Sequence, residues 1–471
     1  MKSSTLKIEN NKDFENELAV IRGLNSFQNA DISLYVDEKI EAQLTKKCKK
    51  FIIDTNVIFN DKLKFSFTIN NTNYEIKQIG SSSNSSQFSA NKSPVFSSSM
   101  EINTFYNTEF SQKSLYKVFF ITDIKDIKTF HSYFETVTHT RDIEYYYDCL
   151  RIKVDDKTYD ITQLKDELNG YFVFECFEEQ SLNDFLQTCF SIRQAIGFIT
   201  KLMIGDEEFV FDKQGKLYYS NYTRPTLRGM YNPIVTNPYS FLDIDEEVAK
   251  NYYRKLTRMS LENLSNFVAK IHNEPEFSAA ILIILEATNI RSLLVIPSSF
   301  AGIIELLSKN IGIEELGIEI PIVDNNLRNK ILSELYDVID ENSETLNSKS
   351  ILKLKRRIGA INNPINKQHL TNNEKLTRPF EQLNLNLTLQ DISIIEHRND
   401  FFHGNILLKN DDRKTDENIN LYMAYVSAKL FTLISKLILK SIGYNGYIYN
   451  QAKYLEKRIN IKTEEEYFDL I

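Results

Sequence analysis

The chain has no tryptophan among its 471 residues, and it holds only 4 cysteines, 14 glycines and 9 prolines. Each scarcity removes a class of protein. Cys48, Cys149, Cys176 and Cys189 stand far apart with no CxxC pair. That pattern excludes a disulfide framework or a cysteine zinc site and predicts reduced, mostly buried thiols. Few glycines leave little material for loops that cradle phosphate. No Walker A loop, GxSxG elbow, HExxH pair or glycine-rich dinucleotide fingerprint occurs. A formal net charge of -8 argues against a surface coated in basic residues, so any contact with nucleic acid must be local. Long apolar runs are missing as well. The most apolar stretch, 278–307, is broken by Glu286, Asn289, Arg291 and Pro297, short of the roughly 18 residues a membrane span needs. Core helices are expected there, and no membrane partner. The opening MKSSTLKIENNKDFENEL has no apolar h-region, so no secretory signal is expected and the expected compartment is the cytoplasm.

What is present supports real cores. A 42% hydrophobic content over 471 residues predicts two or three domains, and the chain changes character near residue 240. Before it, strand signals dominate at 63–69, 115–122 and 170–177, which are rich in aromatic and β-branched residues with partial alternation. The segment 208–219 reads as a hairpin around Asp212 to Gly215. One helix interrupts at 182–203, with apolar spacing at Phe185, Cys189, Ile192, Ile196 and Ile199. Ten of the nineteen residues in 81–99 are serine, which predicts a flexible surface loop. A proline-rich connector, 224–238, marks the transition. After it the periodicity predicts helices over 244–272, 275–290, 298–309, 325–341, 346–361, 388–403, 417–442 and 447–459. The expected fold class is therefore α+β, with a β-rich domain over 1–240 followed by an all-α region over 244–471.

One short array carries chemistry. Arg398-Asn399-Asp400-Phe401-Phe402-His403 is followed directly by Gly404. Cleaving RNA without a metal needs a group that moves protons near neutral pH, and histidine titrates there unperturbed. It also needs a fixed cation where negative charge builds on the phosphate, which suits the planar fork of arginine. The 16 arginines and 6 histidines in 471 residues give roughly 0.2 such pairs by chance (16 × 6 / 471). This is the only pair at that spacing. The array ends a predicted helix from Thr388, with Leu389, Ile392, Ile395 and Phe402 on one stripe, Asp391 in the first turn and Gly404 as its terminator. Five residues turn about 140° around a regular helix. Arg398 and His403 therefore meet at one phosphate only if the helix ends at the histidine, or if two chains each supply part of the site. Around the array lies a basic island: residues 349–440 hold 15 Lys and Arg against 9 Asp and Glu. Lys409, Arg413, Lys414, Lys429, Lys436 and Lys440, with the run Lys353 to Arg357 upstream, are candidate phosphate contacts.

This C-terminal part resembles the HEPN superfamily, and more specifically the Apea-like HEPN proteins, in which a β-rich region precedes the bundle. The resemblance covers about 320–460. It implies a four- or five-helix bundle that dimerises, with two copies of the array facing each other in a composite site. It further implies metal-independent RNA cleavage to a cyclic phosphate and a 5′-hydroxyl, with no cofactor, and a role in antiviral or abortive-infection defence. On that basis Arg398 would stabilise the reacting phosphate, Asn399 would orient its neighbours and His403 would transfer the proton. The N-terminal region would then sense an unidentified trigger. One position departs from relatives regulated by AMPylation of a tyrosine two residues after the histidine: here it is Asn405. The alternative from another class is a non-catalytic HEPN scaffold that binds RNA, nucleotide or protein. His131, His139, His272 and His369, with Tyr145 to Tyr147, are read as structural, and His397 as a packing residue or an RNA contact rather than a second catalytic imidazole.

Overall fold

The computed structural model describes residues 14–25, 30–31, 42–47, 50–55, 66–69, 72–89, 92–108, 113–141, 144–240, 244–290, 293, 295–311, 318–319, 322–361, 365–366, 372–397, 416–455 and 465–471. The protein is a mixed α+β structure, with an antiparallel sheet in the N-terminal half and helices in the C-terminal half.

Helix α1 (Glu15–Asn25) precedes eleven strands: β1 (Ala30–Asp31), β2 (Ala42–Lys47), β3 (Lys50–Thr55), β4 (Ser66–Ile69), β5 (Thr72–Ser89), β6 (Lys92–Asn107), β7 (Lys117–Thr122), β8 (Val137–Arg141), β9 (Glu144–Val154), β10 (Lys157–Lys165) and β11 (Gly170–Cys176). Helix α2 (Leu182–Thr200) follows, then β12 (Leu202–Met203), β13 (Glu207–Phe211), β14 (Leu217–Tyr222) and β15 (Leu227–Arg228). The main sheet runs β1-β2-β3-β6-β14-β13-β7-β11-β10-β9-β8, with β5 on β6 and β4 on β5. Its central strands carry apolar side chains on both faces because both faces are covered. On β7, Phe119 meets Phe14, the residue just before α1, edge to face at 5.8 Å, while the adjacent Phe120 lies under Arg193 of α2. Alternate residues of a strand point to opposite faces, so a run such as Lys-Val-Phe-Phe-Ile-Thr suits a strand with a helix on each side.

The expected α2 stripe is buried at all five positions. Ser181 caps its first turn by accepting from the Asp184 amide, and Lys201 closes it in a left-handed conformation. The expected hairpin forms between β13 and β14, where Gly215 takes φ +75° and the Asp212 carboxylate accepts from the Gln214 and Lys216 amides. The serine tract differs from expectation. It lies in β5 and β6, which pair along nearly their whole length, with Ser83 opposite Ser99 and Ser85 opposite Ser97. The backbone ladder is indifferent to small side chains, and the hydroxyls bond across it: Ser85 and Ser97 are 2.6 Å apart, and Ser98 donates to Asn84 at 2.6 Å.

The helices continue as α3 (Glu246–Tyr252), α4 (Leu261–Asn273), α5 (Pro275–Ile290), α6 (Val295–Asn310), α7 (Asn325–Glu341), α8 (Ser348–Gly359), α9 (Asn372–Gln382), α10 (Leu389–Glu396) and α11 (Asp416–Ser441). The short ribbons are β16 (Ile318–Glu319) with β17 (Ile365–Asn366), and β18 (Tyr447–Tyr449) with β19 (Phe468–Leu470). The helix expected over 447–459 is a strand at its start. Tyr447 and Tyr449 pair with Leu470 and Phe468, and stacking on Phe468 suits aromatic strand residues.

The chain divides into two compact units, 1–303 with 399–471, and 304–398. The division does not fall at residue 240. Helix α4 belongs with the sheet, where the Lys153 amide donates to Ser265 and Phe267 packs on Phe198 of α2. Helix α11 belongs to the first unit. There Phe431 meets Phe198, Tyr231 and Phe300. Residues 419–441 of α11 are long and apolar enough to cross a membrane, yet most of that length is buried among these helices. In the second unit, α7 and α8 form a hairpin held by Tyr336 on the Lys355 carbonyl, and α9 and α10 bury Leu376, Phe380, Ile394 and Ile395.

Candidate functional site

Arg398, Asn399 and His403, and with them Lys409, Arg413 and Lys414, lie outside the described residues. The helix that leads to the array is described. Thr388 caps α10 by accepting from the Asp391 amide at 3.1 Å, and the Asp391 carboxylate accepts from the Thr388 amide at 2.9 Å. This reciprocal pair satisfies two free donors of the first turn. The regular helix ends at Glu396, and His397 caps it. The buried face differs from the expected stripe: Asp391, Ile394 and Ile395 point inward, whereas Leu389 is 88% exposed. The capping box is the cause, because it turns Asp391 inward and leaves Leu389 at the outer edge of the first turn.

The lysine face of α11 is partly engaged within the chain. Its lysines were expected to contact phosphate, but Lys429 is buried and ion-paired with Glu465, whose other oxygen accepts from Asn450 at 2.9 Å. Lys436 is buried against Asp469 at 3.1 Å. Thr432, on the same face, accepts from the Gln451 amide. The chain around β18 and β19 brings acidic side chains onto this face, so these two lysines neutralise carboxylates of their own chain. Lys440 is partly exposed and donates to Asn445. Among the described residues, exposed cations of the basic island include Lys353, Arg356 and Arg357 of α8, while Lys355 is ion-paired with Asp340.

A second constellation lies between α2 and the β13–β14 hairpin. A cleft of about 390 Å³ is lined by Leu186, Phe190 and Arg193 from the helix and by Glu208, Tyr219 and Asn221 from the sheet. Arg193 is 5% exposed and Glu208 4%. The guanidinium rests over Phe120 at 4.4 Å and near Phe190 at 5.5 Å, and its Nη1 donates to the Ile204 carbonyl at 3.2 Å. Nε is buried with no hydrogen-bond partner. Glu208 accepts from Asn221 Nδ2 at 3.0 Å, and that amide is oriented by Thr104, which donates to its oxygen at 2.7 Å. No ion pair joins Arg193 to Glu208 among the described residues. Burial pushes the Glu208 carboxyl up, opposed by the Arg193 charge and the Asn221 donor, and burial pulls the Arg193 guanidinium down. Sequence reasoning missed this pair. The signal was an arginine one turn from Cys189 on the apolar face of α2, a position where a charge requires a partner.

Three thiols, Cys149, Cys176 and Cys189, are free and buried, as expected from their spacing. Among the described residues no group of three or more His, Cys, Asp or Glu is placed to hold a metal ion. Comparisons of the chain with protein-family models, with curated proteins and with solved structures give no match.

Proposed function

We propose that this chain is a HEPN-type, metal-independent endoribonuclease that acts as a homodimer with a composite site, in the cytoplasm and in antiviral or abortive-infection defence. One observation carries the reading: the array Arg398-Asn399-Asp400-Phe401-Phe402-His403-Gly404, which occurs once in the chain. Helix α10, capped at Thr388, leads to the array and ends at His397, short of the 403 expected from periodicity. In this account a His403 imidazole removes the proton of a ribose 2′-hydroxyl, and the 2′-oxygen attacks phosphorus. The P–O5′ bond breaks, an imidazolium from the second copy protonates O5′, and a 2′,3′-cyclic phosphate remains. Arg398 stabilises the charge that develops on the phosphate, and Asn399 positions the two side chains. Phosphate contacts fall to Lys409, Arg413, Lys414 and Lys440.

A non-catalytic HEPN scaffold is the second reading. The specific observation in its favour is the intramolecular pairing of Lys429 and Lys436, which removes two cations from the RNA-binding account. Cleavage of labelled RNA in EDTA by wild type, Arg398→Ala and His403→Ala separates the two: the nuclease reading requires cutting by wild type alone.

A further inference from the structure

The cleft between α2 and the β13–β14 hairpin is neutral as a pair and unsatisfied at both ends. Those two properties restrict what it can take. A simple anion would meet Glu208, and a simple cation would meet Arg193, each at an unfavourable buried charge. A ligand must therefore offer hydrogen-bond donors at one point and acceptors at another. Glu208 has one oxygen engaged by Asn221 and no protein donor on the other among the described residues. Arg193 spends Nη1 on the Ile204 carbonyl and, weakly, on Thr223, which leaves its Nε–Nη2 edge without an acceptor among the described residues. That edge is the two-toothed fork that matches paired acceptors.

The shape adds a constraint. The opening lies between a helix face bearing Asn183, Leu186, Gln187 and Phe190 and a sheet surface bearing Tyr219, Asn221 and Thr223. The rings of Phe190 and Tyr219, among polar neighbours, favour a planar ligand over a tetrahedral or branched one. Arg224 stands at the mouth, 36% exposed along its side chain, near the Phe190 ring and paired with Glu286. It supplies a second guanidinium where a charged tail would emerge.

We propose that this cleft binds a guanine nucleotide, with Glu208 reading the donor edge of the base, Arg193 its acceptor edge, and Arg224 the phosphate. Guanine presents N1–H and the exocyclic amine side by side, then O6 and N7 as acceptors on the adjoining edge, and O6 with N7 is the pair that arginine reads most often. Adenine offers a single exocyclic donor flanked by acceptors, so a carboxylate there faces a lone pair. Uracil has one donor between two acceptors. Thr104 has a positioning role: it fixes the Asn221 amide, which in turn fixes the carboxylate. The assignment does not depend on the ribonuclease reading, because it is tested by binding alone.

The test is calorimetric titration of the full chain with GMP, AMP, CMP, UMP and IMP. Saturable GMP binding is expected, with IMP about tenfold weaker because it lacks the exocyclic amine that Glu208 accepts from. AMP and UMP should be weaker still. Glu208→Gln should cost GMP about tenfold or more with circular dichroism unchanged, and Arg224→Ala should bring GMP to the affinity of guanosine. The comparison of GMP with IMP uses wild type only, so it decides even if a variant fails to fold. No saturable binding at millimolar GMP, equal affinity for GMP and IMP, or preference for CMP overturns the proposal.

Discussion

Replacing Lys429 with methionine removes a charge and keeps most of the side-chain volume, which isolates the electrostatic part of its role. In the folded chain the Lys429 side chain is 2% exposed and that of Glu465 is 8% exposed. Asn450 also donates to that carboxylate. Lys429→Met therefore takes the ion-pair cation away from a buried carboxylate. Breaking one side of such a pair costs about 3–5 kcal/mol. With a urea m-value of about 3 kcal/mol/M, the unfolding midpoint should fall by roughly 1 M or more. Removing both charges, as Lys429→Met with Glu465→Leu, should return stability to within about 1 kcal/mol of wild type or above it, because no unpaired ion is left. Urea unfolding followed by circular dichroism measures all three chains. A midpoint for Lys429→Met within about 0.3 M of wild type, together with weaker RNA binding, would refute the burial argument. It would return Lys429 to the phosphate-contact set.

Other outcomes follow from local geometry. At Gly205 an added Cβ would sit 2.1 Å from the Arg224 carbonyl oxygen and 2.8 Å from the Pro225 carbonyl carbon, so backbone must move and Gly205→Ala should cost about 2 kcal/mol or more, read as a lower urea midpoint. Burial pushes the Cys149 thiol up to about 12, so Ellman's reagent at pH 8 should label it only when the chain unfolds, and fast labelling in the native state would contradict its placement. Glu208 titrates above the ordinary carboxyl range because it is buried. The folded state keeps that proton where the unfolded chain has lost it, so stability relative to Glu208→Gln should fall as pH rises from about 4.3 and level off above the raised value. A pH-independent difference between the two chains would contradict that environment.

Much of the fold was legible because its signals are local. The α2 stripe at Phe185, Cys189, Ile192, Ile196 and Ile199 reports one helix face, and all five positions are buried. The turn at Asp212 to Gly215 advertised its hairpin through residue types that a tight reversal requires. Helices α5 and α7 have the expected bounds. The failures share a cause, which is dependence on a distant partner. Serines of β5 look disordered alone and form a strand because β6 lies beside them. Tyr447 to Tyr449 has the spacing of a helix but pairs with Phe468 to Leu470 about twenty residues later. Helix α9 carries Pro379 inside it and was not expected at all.

The candidate site was legible in part for the same reason. Arg398, Asn399 and His403 are close in sequence, so the array is visible as a pattern. Lys429 and Lys436 share a helix face with Thr432, and periodicity cannot say what covers that face. Here it is a segment bearing Glu465 and Asp469. Arg193 and Glu208 belong to different elements and meet only in the folded chain, although an arginine on an apolar helix face hints at a buried partner.

The central claim is tested most directly by incubating a labelled RNA pool and total tRNA with wild type, Arg398→Ala and His403→Ala in EDTA, each chain first checked for its fold by circular dichroism. The account predicts that wild type cuts to products ending in a cyclic phosphate, and that each substitution lowers the rate by about 100-fold or more. Equal cutting by all three folded chains, or activity that disappears with EDTA, would contradict it.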